Sequence, residues 1–252
     1  MVDLASLLPP DVSPMAAALV IAASFFTSAL TAAFSLGGGL ALVAIMSALL
    51  PANAVIPIHA IAQLGSNAGR FGLQRKYVIW QIAVWFAAGS ILGAVVGVKL
   101  FIHLPDPVLK AIIGVFVLLA IWGPKPRGFS PGTATFFATG AASALLSVFV
   151  GATGPIAAAM MKVAQVDKLK TVATHAACMT FQHALKALAF GFAGFAYREW
   201  AGVIIAILIS GFAGTIAGTR LLRAMPERQF RSGFIMLLTF FACYLITSAI
   251  FS

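Results

Sequence analysis

Two sets of polar side chains interrupt otherwise apolar sequence, and their spacing suggests shared chemistry. His59, Gln63, Ser66, Asn67 and Arg70 recur at three- and four-residue steps, as do Thr171, His175, Gln182, His183 and Lys186 at near-helical steps. Such steps place side chains on one helical face, and polar faces in an apolar chain must point inward, since exposing them to lipid costs several kcal/mol. Imidazoles, amides and cations together make a lining for an anion. Neither set contains a carboxylate. The six acids, Asp3, Asp11, Asp106, Asp167, Glu199 and Glu227, all fall in loops or ends, so a carboxylate-based cation or proton site has no ligand. Histidine remains as the side chain able to carry a coupled proton; potential-driven movement without protons fits equally well. Lys186 lies deep in its run and is expected inside the protein. Arg70 stands nearer a helix end, where snorkelling to the interface competes with a site role. For His59 and His175 the competing reading is an interhelical hydrogen bond.

A second kind of candidate is backbone. Gly37, Gly38 and Gly39 precede a short apolar piece at 40–50, and Gly151, Thr153 and Gly154 precede another at 155–165. Eleven residues span roughly 16 Å, half a bilayer, so each piece reads as a half-helix or hairpin tip. A helix that starts inside the membrane presents free N–H groups and the positive end of its dipole to an anion, and glycine lets backbone approach a ligand. The competing role for small residues is close helix packing, which suits Gly93, Gly97, Gly214 and Gly218 best.

These candidates need elements to hold them, and composition says which. The chain has 252 residues, 62% of them hydrophobic and 9% charged, with a formal charge of +10. Soluble domains carry about 25% charged residues, so a cytosolic enzyme, a nucleic-acid binder and a disordered regulator are all excluded. At about twenty apolar residues per crossing, the runs at 15–36, 54–73, 78–102, 107–122, 133–150, 171–196, 200–221 and 232–251 make about eight spans. The expected fold is an all-α polytopic membrane protein in one transmembrane domain covering 1–252. Cys178 and Cys243 lack metal or redox spacing and read as buried small side chains. No metal and no cofactor are expected, and with no basic start before the first apolar run that segment is retained.

The two breaks prompt a search for an internal repeat. Gly39 falls on Gly154 at an offset of 115; His59, Asn67 and Arg70 fall on His175, His183 and Lys186 at 116. Gly93, Gly97, Lys99, Pro105 and Lys110 fall on Gly214, Gly218, Arg220, Pro226 and Arg231 at 121. Repeat one is expected at about 15–123, a Pro/Gly-rich linker at 124–132 and repeat two at about 133–251. Basic residues collect in cytoplasmic loops. Arg70, Arg75, Lys76, Lys125 and Arg127 therefore lie inside, and the loop from His103 to Asp106 outside. The equivalent loop of the second half, with Arg220, Arg223, Arg228 and Arg231, lies inside. The topologies are thus inverted, whether the short pieces cross or re-enter, and both termini come out external.

Inverted repeats with discontinuous helices are the architecture of secondary transporters, with substrate near the midplane. The glycine-broken runs Ser35-Leu36-Gly37-Gly38-Gly39 and Val150-Gly151-Ala152-Thr153-Gly154-Pro155, each followed by a short apolar segment and a polar helix, resemble the TauE/SafE sulfite exporter family, also called the toluenesulfonate uptake permease group. Ala152 and Thr153 depart from the glycine triplet. The resemblance implies a multi-pass transporter of the bacterial inner membrane for sulfite or organosulfonates. Expected partners are a small anionic substrate and membrane lipid, with no nucleic acid and room for a homodimer. A passive anion channel and a carrier of non-sulfur carboxylates remain alternatives. An intramembrane enzyme is disfavoured, because no serine has a Gly-x-Ser-x-Gly setting and no cysteine pair exists.

Overall fold

The computed structural model describes residues 8–9, 11–34, 37–101, 105–123, 132–151, 153–154, 157, 168–221 and 227–251. The second expected half-helix at 155–165 and most of the linker at 124–132 lie outside these residues. Among them the chain is helical, without strands. In chain order the helices are α1 (Pro14–Phe34), α2 (Gly38–Leu49), α3 (Ala52–Gln74), α4 (Trp80–Phe101), α5 (Asp106–Trp122), α6 (Thr133–Val150), α7 (Lys168–Phe192), α8 (Ala201–Leu221) and α9 (Glu227–Ile250). Short 3-10 turns at Arg75–Tyr77 and Tyr197–Trp200 lead into α4 and α8.

Local chemistry sets the helix ends. Ser13 accepts a hydrogen bond from the Ala16 N–H at 3.1 Å, and Pro14 occupies the first helical position, where its missing N–H costs nothing. Pro105 precedes α5, and Asp106 and Pro107 open it, an acid and a proline suited to a helix N-terminus. Leu50 turns extended before Pro51, and α3 starts at Ala52. Within the apolar helices hydroxyls are satisfied by their own backbone: Thr27, Thr31, Ser47, Ser90 and Thr215 each donate to the carbonyl four residues back. That is the economical solution where no water is available.

The distribution of side chains is the reverse of a soluble protein's. Phe26, Trp80, Trp85, Phe181, Phe192, Phe212 and Phe240 are exposed, while His59, Gln63, Asn67, Arg70, His175, Gln182, His183 and Lys186 are buried. An apolar exterior around a polar interior fits a lipid surrounding. Among the described residues three helical stretches are long and apolar enough to cross a membrane, Pro14–Ala32, Trp80–Gly97 and Tyr197–Gly218. At 23 and 25 residues α3 and α7 have the length, but they carry the buried polar faces that lower their hydropathy. Cys178 is buried as expected, whereas Cys243 is exposed; its place on the outward face of α9 among Phe240 and Tyr244 explains the difference.

The long helices pair as α1 with α8, α4 with α6, α3 with α7 and α5 with α9. Glycines allow the first two contacts. A Cβ on Gly93 would strike the carbonyl of Ala141, and one on Gly214 the carbonyl of Phe25. Gly93 and Gly214 are 121 apart and Phe25 and Ala141 are 116 apart, so the two contacts repeat the offsets in the sequence. Close packing is thus the role of these glycines, and of Gly97 against Leu145 and Val148 and Gly218 against Ala29. Hydroxyls fasten the same seams: Ser24 donates to the Ile207 carbonyl at 3.0 Å and Ser210 to that of Ile21 at 2.6 Å.

The candidate anion site

The site is built on α3 and α7, whose polar faces meet. His59 of α3 lies within electrostatic reach of Lys186 of α7, and His175 of α7 within reach of Arg70 of α3. One early and one late residue on each helix are therefore crossed, which requires the two helices to run antiparallel. The rings of His59 and His183 meet edge to face, with centroids 5.9 Å apart and planes at 73°. Arg70 acts electrostatically on His183 as well, so the two ends of the array belong to one field.

Each histidine holds the backbone of a break. His59 Nε2 donates to the Gly39 carbonyl at 2.9 Å, and His175 Nε2 to the Gly154 carbonyl at 3.0 Å. A carbonyl oxygen can only accept, so both bonds place the proton on Nε2. The breaks themselves turn alike: Gly37 has φ +98° and Gly151 φ +77°, left-handed backbone that glycine adopts freely. After the first break the chain folds back on α1. A Cβ on Gly38 would meet the Thr27 carbonyl and the Thr31 hydroxyl, so this glycine is needed for packing whatever its place near a ligand.

Each cation caps the helix that precedes a break. Lys186 Nζ donates to the Gly151 carbonyl at 2.7 Å and the Ser147 carbonyl at 3.2 Å. Arg70 Nη1 donates to the Thr31 carbonyl at 3.3 Å, and Nη2 to Asn67 Oδ1 at 2.6 Å. Thr31 and Ser147 are 116 apart, as are Arg70 and Lys186. The carbonyl ends of α1 and α6 supply partial negative charge, but among the described residues no full counter-charge is present. Lys186 is 1% exposed and Arg70 6% exposed, and among the described residues no carboxylate is paired with either. Arg70 thus points inward and does not snorkel.

Several polar atoms of this array are buried without a partner: His59 Nδ1, His183 Nδ1, Ser66 Oγ and Arg70 Nε. Buried polar atoms in proteins are overwhelmingly paired, so a cluster of orphans beside two cations sets this interior apart from an ordinary core. Other candidates are already engaged. Gln63 accepts from Asn67 Nδ2 through its backbone carbonyl at 2.8 Å and through Oε1 at 3.5 Å. Gln182 Nε2 donates to Thr153 Oγ1 at 3.0 Å, Ser143 Oγ to Gln182 Oε1 at 3.1 Å, and Thr153 Oγ1 to the Ser143 carbonyl at 3.0 Å. That closed triangle braces the second break. Ser66, 116 residues before Gln182, makes no such bond.

Sequence reading missed Ser143, Thr31 and Ser147. Ser143 had a signal, since Thr27 lies 116 residues earlier with the same hydroxyl. Thr31 and Ser147 act through backbone carbonyls, which no residue type announces.

The described helices thus enclose a buried cationic centre with which, among the described residues, no carboxylate is paired. Residues 20–245 match the family described as Sulfite exporter TauE/SafE. The chain belongs to this family, whose members are sulfite-exporter-type membrane transporters and not enzymes. No curated protein and no solved structure matches it.

Proposed function

We propose that this chain is a secondary transporter that exports small sulfur-containing anions, such as sulfite or organosulfonates, across the bacterial inner membrane. The anion binds near the midplane, between two inverted repeats of four full spans and one half-span each. The observation that carries this reading is the pair Arg70 and Lys186, buried without a carboxylate partner among the described residues. A buried charge that lacks its counter-ion is strongly unfavourable, and a visiting anion supplies one. The antiparallel α3 and α7, the matched bonds of His59 and His175 and the repeated glycine seams support the inverted duplication.

In this reading the anion is held from both repeats. Arg70 Nε and the remaining N–H of the Lys186 ammonium meet its oxygens, and His59, His175, His183, Asn67, Gln63 and Ser66 line the space between. Gly37, Gly38, Gly39, Gly151, Thr153 and Gly154 shape the two hairpin tips. The test is uptake of labelled sulfite and sulfonates into proteoliposomes. The wild type gives saturable flux that Lys186→Ala and Gly38→Val abolish; intact flux in both variants would put the site elsewhere, and single-channel currents would replace the carrier with a pore.

A further inference from the structure

We infer that the space between Lys186 and His59 is built for an anion that carries a hydrogen-bond donor of its own: a hydroxyl, an ammonium or the proton of a hydrogen oxoanion. The inference rests on the anion-transport reading and narrows its substrate class. Gly151 brings the two ends of the site together. Its carbonyl accepts from Lys186 Nζ at 2.7 Å, and on its other side a Cβ would stand 3.2 Å from His59 Nδ1. Val43 Cγ2 at 2.6 Å and Ile56 Cδ1 at 3.2 Å crowd the same point, so a glycine is needed for the backbone at the break to approach the ring. Because Nε2 is committed to the Gly39 carbonyl as a donor, Nδ1 of the neutral ring is an acceptor. The neutral ring is also the form that adds no third charge to a buried site already holding two cations.

That acceptor is buried and has no partner. His183 does not supply one, since its own Nδ1 is equally unpartnered although the two rings touch. Lys186 is spent on Gly151 and Ser147 with two of its three N–H groups. A guest that only accepts would satisfy the ammonium and leave His59 Nδ1 orphaned. A guest with oxygens at one end and a donor at the other satisfies both. His59 is then a specificity residue, and discrimination follows from leaving a buried acceptor unpaired when the donor is missing.

The test is calorimetric titration of the purified full-length protein with matched probes, 2-hydroxyethanesulfonate against ethanesulfonate and hydroxymethanesulfonate against methanesulfonate. The wild type is expected to prefer the hydroxyl compound at least about tenfold in one or both pairs. In His59→Gln the terminal amide keeps the bond to Gly39 but offers nothing at the Nδ1 position, and the preference is expected to collapse to within about threefold of unity. A wild-type preference near unity in both pairs, or a preference that persists in His59→Gln, overturns the inference while leaving the anion reading standing. If none of the four probes binds the wild type while sulfite does, the inference falls and the anion reading stands; if sulfite fails to bind as well, both fall. The wild-type comparison is decisive without any variant, so a folding defect in His59→Gln does not shield the proposal.

Discussion

The imidazoles of His59 and His183 stand edge to face, 5.9 Å between centroids, and each keeps an unpartnered Nδ1 in the interior. Two rings that touch without satisfying one another are held from behind. Gly39 fixes His59, and Lys186, one helical turn beyond His183, is fixed by the carbonyl end of α6. The contact surface between α3 and α7 is therefore preorganised but left polar, which is what a substrate site requires and a structural core avoids.

Arg70 and Lys186 should not be interchangeable with neutral residues of similar size. Lys186→Met takes the ammonium from the carbonyls of Gly151 and Ser147, of which Ser147 keeps its bond from the Gly151 N–H, and removes the charge. Sulfite flux in proteoliposomes should fall at least tenfold, about 1.4 kcal/mol or more. Arg70→Met should do the same. Flux retained in both would separate the cations from the substrate.

Two glycines give opposite stability outcomes. Gly38→Ala forces a methyl into the Thr27 carbonyl and Thr31 hydroxyl and should destabilise by about 1–3 kcal/mol. Gly72 has nothing within 4 Å of the same position. There Gly72→Ala should stabilise by about 0.5–1 kcal/mol through chain entropy. Thermal unfolding in detergent should show a lower Tm for the first and a raised one for the second.

The brace at the second break is a measurable bond set. Thr153→Val keeps shape but strands Gln182 Nε2 and should cost about 1–3 kcal/mol. Thr153→Ser keeps the hydroxyl and should recover most of that stability. Equal unfolding temperatures for Val and Ser variants would show that the triangle contributes nothing.

Topology predicts labelling. If the repeats are inverted as proposed, Leu104→Cys should react with a membrane-impermeant maleimide in intact cells and Met225→Cys only after permeabilisation. Cys178→Ser and Cys243→Ser first remove the background thiols. Labelling of both from the same side would disprove the inversion.

Much of this was legible in the residues. The apolar runs matched α1 to α9 within a few residues at most ends, because length and hydropathy fix membrane helices before packing does. The polar faces of α3 and α7 were read from spacing alone, and burial followed. The sequence did not decide between Arg70 snorkelling and turning inward, because the outcome depends on the Thr31 carbonyl, a backbone atom. It left Gly38 as a ligand contact when packing alone already demands glycine there. Tyr77 and Tyr197 lie in the two 3-10 turns, 120 apart, and Trp80 and Trp200 follow them by the same three residues, which extends the repeat register. Cys243 faced outward because outward, in lipid, is apolar too.

The glycine seams carry a mechanical consequence. They lock α1 to α8 and α4 to α6, backbone against backbone, and each locked pair takes one helix from either half of the chain. The rigid bodies of this molecule are therefore not its first and second halves. Any rocking that opens the interior to one side must shear one interleaved panel past the other. The hinges then belong to the connection into α3, where Pro51 stands, and not to the linker that joins the halves.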